Sequence, residues 1–520
     1  GWVQERLDAR VRHLLIDEFQ DTNPLQWQAL HAWLSGYAGS GGGAAAPSVF
    51  IVGDPKQSIY RFRRAEPQVF RAAQAFVRDG LGGDLLSCDH TRRNALGVVG
   101  AVNRVMDSAQ AAGAYAGFRA HTTESTHPGA VLALPQIGRD VADDVDGVSE
   151  GDVLHWRDSL TTPRELPEET LRTRECRQAA HWLAGRIAGG LKPKDIMVLA
   201  RKRDRLAVMQ EELRKLHIAT QQPEKNDLAE APEVQDVVAL LDVLVSTSND
   251  LALARALKSP LLGCTDDDLV ALALLRRQPD NAGVSWFDLL QSPEVPTPAL
   301  RAAGPDLLRY KAWVDTLPPH DALDAIYHHG DVLARFAAAA PAPLRGVVLA
   351  NLRALLSTAL GLDGGRYLTP YALVRALRKG GIRAPVTADA DAVRLLTIHG
   401  AKGLEAELVL MLDTDSEPTR ADTMSLLVDW PGESPVPRKL VFLASETSPP
   451  PCAEATLAAE QMERGREELN ALYVAMTRAK TQLVISSVQP FRPATGSAWQ
   501  RISPLAVPAT GVAGPVDDAQ

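Results

Sequence analysis

Asp17 and Glu18 stand side by side at the end of the apolar run in LLIDEFQDT (Leu14 to Thr22), and their types and placement carry the most chemistry in the chain. A strand that delivers two carboxylates at its end is what a nucleotide hydrolase needs. The aspartate holds Mg2+, directly or through water, and the glutamate polarises the attacking water. A strand that merely ends in two solvated acids would read the same way, so weight falls on the residues that follow, Gln20, Asp21 and Thr22. A second cluster is VGDPKQSIYRFRRAEP (Val52 to Pro67), where Arg61, Arg63 and Arg64 lie between and after the rings of Tyr60 and Phe62. Cations interleaved with rings suit a nucleic-acid-facing loop. Stacking a base on a ring contributes about 1 to 3 kcal/mol whichever base it is, and arginines neutralise phosphates. Core packing is the alternative for both rings.

These residues need elements to hold them. Val11 to Ile16 and Ser48 to Val52 are short apolar runs that close on acidic or Gly-Asp turns, with the helical stretch Pro24 to Leu34 between them. That order predicts a β-α-β unit and a parallel sheet. Gly39 to Pro47, GSGGGAAAP, reads as a flexible surface loop. Further strand-like runs are Ala130 to Leu134, Ile196 to Ala200, Val393 to Ile398, Leu408 to Leu412 and Leu483 to Ser487. From about Leu240 to Arg383 the texture changes to Ala/Leu-rich helical periodicity, which predicts a helical insertion in the second α/β domain. Asp140 to Asp152 reads as a solvated acidic loop before the helix-rich Glu165 to Ile187, and the Pro-, Ala- and Gly-rich stretch from Pro493 onward as a linker or truncated tail.

The string D-E-F-Q-D-T resembles motif II of the UvrD/Rep helicases of superfamily 1, and Val52 to Pro67 resembles their motif III. The resemblance implies that Gln57 reaches the γ-phosphate, that Gln20 and Arg63 serve the nucleotide, and that Tyr60 and Phe62 stack on single-strand bases. Leu85 to Met106, LLSCDHTRRNALGVVGAVNRVM, stands at the place of motif IV, where Arg92, followed by Arg93, is the best match to the arginine that touches the γ-phosphate. His90 and Thr91 replace the usual asparagine and aromatic, and a surface arginine is the alternative for Arg92.

VRLLTIHGAKGLEAELVLML, Val393 to Leu412, is similar to motif V. Thr397, His399 and Lys402 lie there on a glycine-punctuated turn after a strand, where amides and a cation can hold DNA phosphates. Glu405 corresponds to the glutamate that contacts the ribose. EELNALYVAMTRAK, Glu467 to Lys480, resembles motif VI, which assigns Arg478 as an arginine finger; Asn470 stands where the family more often has an arginine. The implied fold is α/β: RecA-like P-loop NTPase motor domains, parallel sheets flanked by helices, with a helical insertion. Residues 1–83 would be the C-terminal part of the first RecA-like domain, 84–240 and 386–490 the two segments of the second, 241–385 the insertion and 491–520 a linker or tail.

The forms P-K-Q-S-I-Y-R-F-R and H-G-A-K-G-L-E look more like the helicase-nuclease subunits RecB and AddA than like UvrD itself. The resemblance implies ATP and Mg2+ as cofactors, single-stranded and duplex DNA as partners, and a partner subunit of an AddAB- or RecBCD-like complex. It implies an ATP-dependent 3′–5′ helicase or translocase in DNA repair or recombination. A non-hydrolysing DNA-binding scaffold is the competing reading, against which the retained acids and arginines argue. The phosphate-gripping sequence G-x-x-x-x-G-K-[ST] occurs nowhere in the chain, which opens on Gly1 and reads as a cut through a longer protein with that loop upstream. The polypeptide alone is expected to have negligible ATPase activity.

The 520 residues exceed one ordinary domain, and 45% hydrophobic with 23% charged residues is a globular composition. A net charge of -9 argues against a simple nucleic-acid coat protein and leaves room for a local basic groove. Cys88, Cys176, Cys264 and Cys452 are far apart and form neither a zinc nor a disulfide pattern, which fits a reducing cytoplasm. The longest apolar stretches, such as Val237 to Val245 with Asp242 inside it, are too short to cross a bilayer.

Overall fold

The first strand, β1 (His13–Ile16), pairs in parallel with β2 (Ser48–Ile51), Leu14 opposite Val49 and Leu15 opposite Phe50. Between them runs α1 (Pro24–Leu34), whose start is set by a capping box: the Asn23 side chain accepts from the Gln26 amide and the Gln26 side chain reaches back, with Pro24 at the first position. Phe19 and Trp27 meet edge to face at 5.8 Å and join Val69, Phe70 and Ala73 of α2 (Pro67–Ala75) in a small core. The computed structural model describes residues 10–38, 47–61, 65, 67–139, 171–222, 227–365, 368–382, 384–385, 391–415, 423–430, 434, 436–491 and 496–511. The expected loops at 39–47 and 140–152 therefore lie almost wholly outside the described residues.

The chain divides into two compact units, one of residues Gly1–Glu212 with Leu395–Gln520 and one of Leu213–Arg394. In the first, β3 (His90–Thr91) and β4 (Thr122–Thr123) make a short parallel pair around α3 (Leu96–Ala111). The main sheet takes β5 (Ala130–Ala133), β6 (Ile196–Ala200), β7 (Thr220–Gln221), β8 (Val393–Thr397), β9 (Ala406–Met411), β12 (Ala479–Ile485) and β13 (Val507–Pro508) in the order β13-β5-β12-β9-β6-β8-β7. Every registered pair in it, β12 with β5 and β9, β6 with β9, β13 with β5 and β7 with β8, is parallel. All five residues of β6 are buried, as expected of a parallel strand covered on both faces. The flanking helices include α3, α4 (Leu171–Ala188), α5 (Arg203–Lys215) and the 27-residue α6 (Pro451–Thr477). This is the RecA-like α/β architecture that the motifs imply.

Two features depart from the sequence expectation. The stretch from Pro493 onward is no linker where it is described: α7 (Ala498–Ile502) buries Ile502 completely, β13 pairs with β5, and the Trp182 indole donates to the Thr510 carbonyl at 3.1 Å. Its few apolar anchors, spaced among Pro, Ala and Gly, show no periodicity that sequence alone would detect. Between β9 and α6 an antiparallel hairpin appears, β10 (Thr423–Asp429) with β11 (Lys439–Ser445), whose Leu427 and Leu443 pack on Ala453 and Leu457.

The second unit is helical and has one core of its own. Its central helix, Pro232–Val245, is buried nearly all round. Asp242, the acid inside that apolar run, is satisfied by Asn249 at 2.6 Å and Arg378 at 2.5 Å.

Candidate nucleotide and DNA site

The site lies within the first unit. β1 ends at Ile16, and the next turn presents Asp17 and Glu18 to solvent. Glu18 adopts φ +52°, ψ +37°, a left-handed conformation that costs a non-glycine residue about 1–3 kcal/mol and persists only where neighbours enforce it. The enforcement is visible: the Glu18 amide donates to Asp17 Oδ1 at 2.8 Å, and buried Gln20 donates from Nε2 to Glu18 Oε2 at 2.5 Å. The other end of the Gln20 carboxamide accepts from the Asp54 amide at 2.9 Å. Gly53 makes room for it, since a Cβ there would meet Gln20 Oε1 at 2.9 Å and the Phe70 ring at 2.7 Å. Asp54 caps the 3-10 turn Pro55–Gln57, and Gln57 Nε2 donates to Asp54 Oδ2 at 3.0 Å. Glu18 at the strand end and the expected phosphate sensor Gln57 are thus joined by three hydrogen bonds through Gln20 and Asp54.

The motif V turn supplies a cation to the acids. Lys402 Nζ lies 3.0 Å from Glu18 Oε2 and 2.6 Å from Asp21 Oδ2, its side chain only 6% exposed, and it sits 5.2 Å from the centre of the Tyr60 ring. Tyr60 donates its hydroxyl to the His399 carbonyl at 3.1 Å, with the two rings 6.1 Å apart. Thr397 is buried at the end of β8 and its Oγ1 accepts from the Gly400 amide at 3.1 Å, which shapes the turn. Lys402 therefore reaches inward to the acid pair, while Tyr60 and His399 stand together beside it. Phe62 and Arg63 lie outside the described residues.

Arg478 is 2% exposed at the end of α6. Its guanidinium donates to the carbonyls of Val474 at 3.1 Å and Leu404 at 3.2 Å and to Thr477 Oγ1 at 3.1 Å. No carboxylate among the described residues bridges it. Burial above all, and then the nearby Arg93 guanidinium, lower its pKa to about 10, against the opposing pull of Glu18 and Glu405. It remains a cation at neutral pH. Arg93 Nε pairs with Glu405 Oε2 at 2.6 Å. Arg92 is not brought to this group: its side chain is 83% exposed and pairs with Glu124 at 3.0 Å. Sequence reasoning preferred the first of two adjacent arginines. The two side chains part at the bend that follows β3, which no local pattern in the sequence marks.

Two buried or half-buried cations, a buried glutamine and an exposed aspartate at a strand end fit a magnesium-bound polyphosphate. Mg2+ characteristically takes one or two carboxylates and leaves the remaining positions to water and phosphate. Among the described residues no group of three or more His, Cys, Asp or Glu is placed to hold a metal by itself. No helix among the described residues is long and apolar enough to cross a membrane.

Residues 1–77 match the UvrD/REP helicase N-terminal domain, and residues 166–297 and 368–490 match the UvrD-like helicase C-terminal domain. The chain is also similar to proteins named as the A subunits of ATP-dependent helicase/nucleases. It is 25% identical to that of Levilactobacillus brevis over 95% of this chain and 41% of the relative. For Desulforudis audaxviator the identity is 29%, over 91% and 39%, and for Streptococcus pneumoniae 26%, over 93% and 40%. The chain spans about two fifths of the length of these curated relatives. With both helicase domain models matched in order, the chain belongs to the UvrD/Rep-type helicase family, and the relatives it resembles are named as helicase/nuclease A subunits.

Proposed function

We propose that the chain supplies the water-activating and DNA-coupling part of an ATP-dependent 3′–5′ DNA helicase or translocase, the motor of a helicase-nuclease that acts in DNA repair or recombination in the bacterial cytosol. The observation that carries the reading is Arg478, a buried guanidinium held by carbonyls, beside Arg93 and within the electrostatic reach of Glu18. Such a cation stabilises the charge that spreads over a transferring phosphoryl group. Asp17 would hold Mg2+, which when bound neutralises phosphate charge. Glu18 acts as the base toward water, Gln57 reads the phosphate through its turn, and Glu405, Gln20 and Arg63 serve the nucleotide. Tyr60, Phe62, Thr397, His399 and Lys402 form the DNA side. Lys402, paired with Glu18 and Asp21, ties the two sides together. In this reading residues 1–83 belong to the first motor domain, 84–240 and 386–490 to the second, and the helical part is an insertion. DNA and a second subunit of an AddAB- or RecBCD-like complex are the partners.

Steady-state ATP hydrolysis with single-stranded DNA tests the proposal. This 520-residue chain, which contains no G-x-x-x-x-G-K-[ST], is expected to turn over ATP no faster than the buffer, whereas the full-length protein is expected to show DNA-stimulated turnover. Substantial turnover by the chain alone would overturn the assignment of the phosphate grip to residues outside it. An inert full-length protein that still binds DNA would favour the scaffold reading. The two motif IV arginines give a further check. In the full-length protein Arg93→Ala should lower kcat on the order of 100-fold, while Arg92→Ala, which removes only an exposed ion pair worth about 0–1 kcal/mol, should stay near the parent. A reversed ranking would return the role to Arg92.

A further inference from the structure

Asn470 is a buried polar residue that the proposed chemistry does not use, and its position normally carries arginine in the resembled motif. It lies on α6 two turns before Arg478 and is 3% exposed. Its Nδ2 donates to the Pro55 carbonyl at 3.1 Å and to the Ser58 carbonyl at 2.9 Å. Its Oδ1 accepts from the Tyr115 hydroxyl at 2.9 Å. Both protons and the oxygen are thus used, and the orientation follows from the partners: a flipped carboxamide would aim its oxygen at two carbonyls. Pro55 and Ser58 bracket the 3-10 turn that carries Gln57. On the far side Ser58 Oγ donates to the Gln20 carbonyl at 3.2 Å, and the Gln20 side chain bonds Glu18. One turn earlier on the same helix, Glu467 accepts from the Arg61 amide at 3.0 Å, and Arg466 stacks over the Tyr115 ring at 5.1 Å.

We propose that Asn470 is a positioning residue that clamps the Gln57 turn onto the helix carrying Arg478, so that the phosphate-sensing turn and the finger move as one body. An arginine could not do this in the same way. A carboxamide donates twice and accepts once within a single buried plane, whereas a guanidinium has no acceptor for Tyr115. Two carbonyls held by one amide fix the turn at both of its ends. Small displacements of α6 are thereby passed to Gln57 without a flexible link. The clamp itself stands on these hydrogen bonds; the coupling role assigned to it rests on the helicase reading above.

The diagnostic substitution is Asn470→Asp, which keeps the shape and replaces both donors by lone pairs that face two carbonyls. Two readouts are taken on the full-length protein. Hydrogen exchange at the Gln57 and Ser58 amides should accelerate about tenfold or more, the consequence of leaving buried acceptors unpaired, while the Leu408–Met411 amides of β9 stay protected. The DNA-stimulated kcat should fall about tenfold with KM for ATP within about twofold, the split expected when an interaction made in the transition state is lost. Tyr115→Phe, which leaves both donor bonds in place but frees the carboxamide to rotate, should give a smaller change in the same direction. It also decides the matter if the aspartate variant does not fold. Unchanged exchange at residues 57 and 58 overturns the clamp, and faster exchange with an unchanged kcat overturns its coupling role. Loss of all ATPase activity in the unmodified full-length protein would instead sink the helicase reading and leave the exchange comparison standing.

Discussion

Glu18→Gln in the full-length protein is expected to lower DNA-stimulated ATP hydrolysis about 10²- to 10⁴-fold, the range contributed by a positioned general base, and to abolish unwinding while single-stranded DNA affinity stays within a few fold. The substitution is nearly isosteric, so the left-handed backbone at this position and the Asp17 bond to its amide are kept. The Gln20 bond to Oε2 can also be kept, because an amide oxygen still accepts. What is lost is the negative charge. Lys402 stays anchored by Asp21 at 2.6 Å, so the DNA-side turn is not released. Equilibrium binding of a labelled oligonucleotide, a coupled ATPase assay and a strand-displacement assay measure the three quantities. Unchanged unwinding would remove Glu18 from the role of base.

The second large effect belongs to Arg478. Replacing it with lysine keeps a cation but loses the planar fork, and kcat is expected to fall about 10³-fold or more, in the range of arginine fingers in phosphoryl transfer. Lysine is preferable to alanine here because the guanidinium also bonds Val474, Leu404 and Thr477, and alanine would leave those groups with a cavity. A thermal melt separates the two losses: Tm should drop by only a few degrees while turnover collapses. A variant that loses Tm but retains kcat would make Arg478 structural. Its pKa of about 10 lies below the ordinary arginine value, so the protonated form is disfavoured by folding. That cost is fully present below about pH 10 and is relieved only as pH rises from there toward the ordinary arginine value. Across pH 6–9 the finger is charged, and the pH profile of turnover should not report it.

The sheet and the site differ in how much of them the amino-acid order reveals. The helix Pro24 to Leu34 and the strand Ile196 to Ala200 have the bounds their patterns indicate, because a capping box and an unbroken apolar run act over a few residues. The parallel α/β class follows from the succession of such elements, and its RecA-like form from the motif resemblance. The segment beyond Pro493 escaped this kind of reading, since its order comes from Ile502 entering a core built by distant helices and from β13 joining β5.

The order of residues therefore dictates which chemistry is present: an acid pair at a strand end, a glutamine in a tight turn, aromatics among arginines and a terminal arginine on a long helix. Which of these groups meet is settled only in the folded chain. Lys402, read as a DNA contact, turns onto Glu18 and Asp21, partners 381 and more positions away in the chain. Arg93 takes the place beside Glu405 and Arg478 while its neighbour Arg92 faces Glu124. Asn470, unremarkable as a residue type, spans two carbonyls and a phenol drawn from two remote segments. One cause is common to all three. Local patterns follow from backbone geometry and burial over one or two turns, whereas a polar side chain's partner is set by the packing of whole elements that have no contact until the chain has folded.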